Sequence, residues 1–219
     1  MGSALYMVMK NFDAYIFDLD GTLANTRTDL AEGVNYALVQ CGFAPLSREE
    51  VISYVGDGLS RLLERVLKEN AAEWTERIRF HFDVHYREHL ADHSELYPQT
   101  VAMLEAHNGK KLAVLSNKPH QYTVPLVEKL GIAPYFEVIL GAGDAVPHKP
   151  DPAGLLQILE KLAVPPHRAL MMGDSPNDVL VGQAVGAATG AITFGFRAAA
   201  ELTALHPDFV LDSWDSFLE

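Results

Sequence analysis

The chain has 219 residues, 48% apolar and 21% charged, which supplies a hydrophobic core and argues against disorder. Its formal net charge of −12 gives it no general attraction for nucleic acid or anionic lipid, so an anionic ligand must be met by local cations. The single cysteine, Cys41, excludes an intrachain disulfide and fits a reducing, cytoplasmic setting, and no apolar run approaches the roughly 20 residues of a membrane span. The first ten residues lack a basic start followed by an apolar stretch, so no signal peptide is expected.

Residues 13–18, DAYIFD, read as a short buried strand, followed by a turn at Gly21-Thr22. From 24 to 93 the pattern is helical. Arg27–Gln40 carries an apolar stripe at Leu30, Val34, Ala37 and Leu38 and stops before Gly42. Ser47 with Glu50 forms a capping-box signature for a short helix ending near Gly56. Leu59, Leu62, Leu63, Val66 and Leu67 make the next stripe, and a longer helix spans 72–90, with Phe80, Phe82 and Tyr86 assigned to the core of this block.

After Pro98 helix and strand alternate. A helix at 101–106 is followed by the strand LAVLS (112–116), a helix at 122–130 and the strand EVILG (137–141). Asp151 then reads as an N-cap with Pro152 at the first helical position, opening a helix to Leu162. The strand ALMMGD (169–174), a helix at 179–185, a strand at 187–194 and a last strand FVL (209–211) complete the chain. Strands separated by single helices imply right-handed crossovers and a parallel sheet buried on both faces. Segments 1–23 and 94–219 then form an α/β core, and the all-helical stretch 24–93 is an insertion after its first strand.

In such sheets chemistry sits beyond the carboxyl ends of the strands. The first strand ends in Asp18-Leu19-Asp20-Gly21-Thr22, with both acids on one side of an extended chain. Two neighbouring carboxylates repel unless a cation lies between them or one holds a proton. Magnesium takes one or two protein carboxylates, and a protonated acid serves a leaving group. Gly21 permits a tight turn whose amides would face an oxyanion. The second strand ends in Ser116-Asn117-Lys118, with a hydroxyl and amides for phosphate oxygens. Prolines on either side of His148-Lys149 restrict the backbone there, and the fourth strand ends in Asp174-Ser175-Pro176-Asn177-Asp178. Four acids and a lysine on one edge call for a divalent cation and a phosphate.

Taken in order, DLDGT from Asp18, Ser116-Asn117, Lys149 and GDSPND ending at Asp178 resemble the four signatures of the haloacid-dehalogenase-like superfamily, over nearly the whole chain. The resemblance implies a Rossmann-like core with a helical cap, and Mg2+-dependent phosphomonoester hydrolysis through a phospho-aspartyl intermediate. It implies Asp18 as nucleophile and metal ligand, and Asp20 as acid and base. The Asp20 carbonyl and Asp174 become further metal ligands. Ser116 and Lys149 hold the phosphoryl group with Gly21, Thr22 and Asn117, and Asp178 orients lysine and metal-bound water.

Val55-Gly56-Asp57-Gly58, Leu96-Tyr97-Pro98 and Ser116-Asn117-Lys118-Pro119 resemble the phosphoglycolate phosphatase-like subfamily. That likeness implies a small phosphorylated metabolite as partner, 2-phosphoglycolate first, with Gly56, Asp57, Gly58 and Lys118 as substrate contacts in a monomer or homodimer. Asn25 departs from the pattern, where relatives often carry aspartate. A sugar phosphomutase or pyrophosphatase would use the same chemistry. A receiver-type phospho-aspartate module is a different class, but it lacks a cap of this size and carries its aspartate well inside the chain. Outside the pattern, His81, His85, His89 and His93 recur every four residues on the long helix. Adjacent pairs could share nickel or zinc, though a drift of about 40° per step keeps all four from one ion; the plainer reading is a solvated or dimer-facing row.

Overall fold

The alternation of buried strands and helices after residue 98 produces the expected α/β architecture. The computed structural model describes residues 12–143 and 146–218. The expectation for the first ten residues therefore lies outside the described residues. The chain divides into two compact units, Met1–Asn25 with Leu96–Glu219, and Thr26–Glu95.

The first unit is built on six strands: β1 (Ala14–Phe17), β2 (Lys111–Pro119), β3 (Val138–Ala142), β4 (Ala169–Gly173), β5 (Ala188–Ile192) and β6 (Phe209–Leu211). Every pairing is parallel, in the order β3-β2-β1-β4-β5-β6. The chain builds outward from β1 through β2 to β3, then returns to lay β4 on the other side of β1. In register, Phe17 stands opposite Val114 of β2 and Met172 of β4. This reversal of direction is a topological switch point, where the loops after β1, β2 and β4 leave a crevice.

Period-2 alternation sorts the strand residues onto two covered faces. Ala14, Ile16, Ala113, Leu115 and Met171 pack with Leu155, Ile158, Leu159 and Leu162 of the helix Ala153–Leu162. Tyr15 and Phe17 point the other way, with ring centroids 5.8 Å from those of Phe217 and Trp214 respectively. Some boundaries differ from expectation. β2 continues to Pro119 through a register irregularity after Ser116. The helix expected from Val179 begins at Pro176, because Ser175 and Asp178 close a capping box. The helix expected to open at Pro152 begins at Ala153 with Pro152 as its N-cap, and Asp151, one residue outside the cap, accepts the Ala153 N–H through Oδ1 at 2.9 Å.

The second unit contains α1 (Arg27–Gln40), α2 (Arg48–Ser53), α3 (Leu59–Leu67) and α4 (Ala71–His89). Its buried residues include Leu30, Val34, Ala37, Leu63, Ile78, Phe82 and Tyr86. Only half of the capping box at Ser47 forms: Ser47 Oγ accepts the Glu50 N–H at 3.1 Å, while the Glu50 carboxylate takes the Tyr54 hydroxyl at 3.4 Å. Phe80 is a correction, since it is 63% exposed. Phe82 and Tyr86, four residues apart, share the inner face and stack at 4.8 Å, whereas Phe80 lies about 200° around the helix from Phe82.

The histidine row is split. His85 and His89 lie ring to ring at 4.4 Å, His89 Nδ1 is 2.7 Å from Asp92, His93 Nε2 is 3.7 Å from Glu32, and His81 sits beside Phe80. No helix among the described residues is long and apolar enough to cross a membrane.

Candidate active site

The carboxyl ends of β1, β2 and β4 converge on one buried lysine. The Asp18 N–H donates to Met172 O at 2.9 Å, which ties the end of β1 to β4. Lys149 is 4% exposed. Its Nζ donates to Leu115 O at 2.7 Å and to Asp178 Oδ1 at 2.6 Å, and forms an ion pair with Asp18 Oδ1 at 2.9 Å. The main chain of the lysine is held as firmly: Asn117 Oδ1 accepts its N–H at 2.6 Å and Asn117 Nδ2 donates to its carbonyl at 3.0 Å.

Asp178 is fully buried and serves two structures at once. Its Oδ2 accepts the Ser175 N–H at 2.9 Å and the Ser175 hydroxyl at 2.7 Å, closing the capping box, while Oδ1 holds Lys149. Asp174 accepts the Phe196 N–H at 2.5 Å, with Thr22 Oγ1 at 3.5 Å from its other oxygen. Asp20 is engaged by a different lysine: Lys118 Nζ lies 3.1 Å from both carboxylate oxygens. Ser116 Oγ accepts the Lys118 N–H at 3.3 Å.

Oxygens of Asp18, Asp174 and Asp178, all buried, lie within 4.8 Å of one another. Two of them, Asp18 and Asp178, pair with the ammonium of Lys149. Burial pushes the Asp18 carboxyl up to about 6; Lys149 opposes the rise and the neighbouring Asp178 and Asp20 add to it. Burial, then the charges of Asp18 and Asp178, raise Asp174 well above the ordinary carboxylate range. For Lys149, burial acts to lower the value, but Asp178 and Asp18 outweigh it and hold the ammonium charged. Buried acids driven toward protonation mark a deficit of positive charge. An all-oxygen, carboxylate-rich donor set fits a hard divalent cation.

The main chain closes tightly around Asp174. A Cβ on Gly21, whose φ is +87°, would lie 2.2 Å from Asp174 Oδ2, and one on Gly195 would lie 2.3 Å from Asp174 Cβ and 2.4 Å from Gly21 O. Both positions require glycine because no side-chain atom fits between backbone and carboxylate.

The residues expected to meet phosphate also make local hydrogen bonds. In the turn after β1 the Gly21 N–H donates to Ala24 O at 2.8 Å and the Thr22 N–H to Leu19 O at 3.2 Å. The carboxamide of Asn117 holds the main chain of Lys149. Gly56, Asp57 and Gly58 belong to the helical unit; Gly56 and Gly58 have φ of 126° and 87°, Gly58 caps α3, and Asp57 pairs with Arg65. Sequence reasoning missed Gly195 and the Phe196 amide. Their signal was a glycine flanked by aromatics just past the end of β5, on the same edge as the other strand ends.

The haloacid dehalogenase-like hydrolase family matches residues 15–192. A phosphoglycolate phosphatase of Chromobacterium violaceum is 38% identical over 208 residues, 90% of this chain and 92% of its own. One from Yersinia pseudotuberculosis is 37% identical over 201 residues, 89% and 87% of the two chains. A crystal structure described as a predicted phosphoglycolate phosphatase from Haemophilus somnus superposes with a TM-score of 0.88 at 30% identity, covering 96% of this chain and 98% of that one. With its family matched from the first strand to the fifth, this chain belongs to the haloacid dehalogenase-like hydrolases.

Proposed function

We propose that the protein is a magnesium-dependent phosphomonoesterase for a small phosphorylated metabolite, with 2-phosphoglycolate as the first candidate. The observation that carries this reading is the group of three buried carboxylates at the strand ends, of which Asp18 and Asp178 pair with the Lys149 ammonium. The relatives named for phosphoglycolate support the choice of substrate.

Asp18 and Asp174, with the main-chain carbonyl of Asp20, would hold Mg2+, which when bound neutralises charge between an anionic nucleophile and an anionic phosphate. An Asp18 oxygen forms a bond to phosphorus as the ester P–O bond breaks, and the electron pair leaves on the alcohol oxygen, which takes a proton from Asp20. A water then gives its proton to Asp20 and its oxygen attacks the aspartyl phosphate as the Asp18–phosphorus bond breaks, releasing inorganic phosphate and restoring the Asp18 carboxylate and the protonated Asp20. Lys149 and the Ser116 hydroxyl hold the phosphoryl oxygens. Asp178 and Asn117 fix the lysine from its head and its main chain.

Gly56, Asp57 and Gly58 are assigned to substrate contact within this reading, on the subfamily resemblance. The test is hydrolysis of para-nitrophenyl phosphate and 2-phosphoglycolate with and without Mg2+. Repeated turnover that needs the metal is expected. A single stoichiometric phosphorylation would instead support a phospho-aspartate signalling module.

A further inference from the structure

The histidines at 81, 85, 89 and 93 take no part in the reaction proposed above. Apart from the strand-end carboxylates, one group among the described residues brings three metal-binding side chains within 4.8 Å of one another: Asp29, Glu32 and His93. Asp29 and Glu32 stand on α1, three residues apart and so on one face. His93 lies just beyond α4 and its cap Leu90. Its Nε2 is 3.7 Å from Glu32 Oε2, and both side chains are more than half exposed, which leaves the group open to an ion.

Asp29 is held in place for such a role. It is 2% exposed, and among the described residues it has no ion-pair partner. Its Oδ2 accepts the Ser94 hydroxyl at 2.6 Å, the Ser94 N–H at 2.8 Å and the His93 N–H at 3.2 Å, while Oδ1 accepts only the His93 N–H, at 3.0 Å. A carboxylate oxygen has two acceptor positions, so Oδ1 keeps one for a cation. The stretch of chain that orients this carboxylate is the one that carries His93. One set of hydrogen bonds therefore fixes two donors relative to each other, as the partners behind metal ligands do. The exposed pair of His93 with Glu32 contributes little alone and leaves the Asp29 charge uncancelled.

We propose that Asp29, Glu32 and His93 form a metal site for a borderline transition cation of the Zn2+ kind. Two carboxylates and an imidazole are the mixed oxygen and nitrogen donors that Zn2+ takes, whereas Mg2+ is bound through oxygen. His85 and His89 lie ring to ring at 4.4 Å, His89 meets Asp92 at 2.7 Å, and neither joins a three-donor group. The place of the site assigns its role. The helical unit begins at Thr26 and ends at Glu95, so an ion held by residues 29, 32 and 93 joins the two ends of that unit. Binding to the folded form alone stabilises it. The site lies within the helical unit, and the inference is independent of the phosphatase reading.

The experiment titrates Zn2+ into the full chain in excess Mg2+, with Asp174→Asn present throughout to disable the strand-end carboxylates. Heat is followed by isothermal titration calorimetry and the melting temperature by circular dichroism. One Zn2+ per chain is expected, with a dissociation constant of about 10 µM or tighter, and a melting temperature higher with Zn2+ than with Mg2+ alone. Glu32→Gln and His93→Ala change side chains that are more than half exposed, so the fold is kept. Each is expected to weaken binding by at least about tenfold and to remove most of the rise in melting temperature. His89→Ala is expected to bind Zn2+ as the parent does. Absence of saturable Zn2+ binding overturns the proposal. So does binding that survives both Glu32→Gln and His93→Ala, or that is lost as fully in His89→Ala, which would give the ion to the histidine row of α4.

Discussion

Among the described residues Asp18 has one ion-pair partner, Lys149, and its burial resists the charge. Its carboxyl is raised from the ordinary value to about 6, so the folded protein binds a proton there more tightly than the unfolded chain. The associated stability is fully present below about pH 4 and is lost as pH rises through 6, by about 3 kcal/mol. Metal-free protein should therefore melt at a lower temperature at pH 7 than at pH 5, by differential scanning calorimetry. Mg2+ should raise the melting temperature more at pH 7.5 than at pH 5. Asp18→Asn should flatten the pH dependence, leave the metal-free fold at least as stable at pH 7.5, and reduce kcat by more than about 10³-fold through loss of the nucleophile. At Asn117 the expected outcome differs. Asn117→Ala strips both hydrogen bonds from the main chain of Lys149, so kcat should fall by about 10- to 100-fold, while circular dichroism stays native.

The identities of these residues were legible in the sequence because each falls at a strand end. Their pairings were not. Asp20 meets Lys118 across 98 positions and Asn117 meets Lys149 across 32. Such contacts depend on which strands become neighbours, and periodicity carries no information about that.

At the level of elements, the helix that starts at Pro176 (α5, Pro176–Val185 in the core unit) is tied to the site through its capping box. Ser175→Ala removes the hydroxyl that Asp178 Oδ2 accepts at 2.7 Å. A loss of about 1 kcal/mol in urea denaturation is expected from the cap, together with a lower kcat as Asp178 loosens its hold on Lys149. Gly195→Ala tests the closeness of the main chain to Asp174. The added methyl meets backbone as well as carboxylate, so overpacking of about 1–3 kcal/mol is expected, with weaker Mg2+ affinity measured by calorimetry. Element type followed from the hydrophobic period: the parallel strands are continuous apolar runs and the helices show stripes. Errors gathered where a single turn of helix decides the face, as at Phe80, or where a side chain chooses among local partners, as at Glu50. The short helix Ala199–Thr203 escaped notice because it buries only Leu202 and so shows no stripe.

On the scale of the molecule, the two units draw on separate sets of buried residues, the sheet with its flanking helices in one and α1–α4 in the other. The chain leaves the sheet-bearing unit after Asn25 and returns at Leu96, and within that unit the Tyr97 N–H donates to Leu23 O at 3.0 Å. Exit and return are therefore adjacent. Replacing Thr26–Glu95 by a short Gly-Ser linker is expected to leave the sheet folded, with a cooperative melt and native near-ultraviolet circular dichroism from Trp214. Loss of that signal would show that the sheet depends on the helices.

The hydrogen bond between Leu23 and Tyr97 acts as a clasp across the excised stretch. Changes of length confined to the helices and loops within 27–94 fall outside the six-stranded sheet and the turn after β1, so variants that differ in loop length there are expected to keep the register of that sheet.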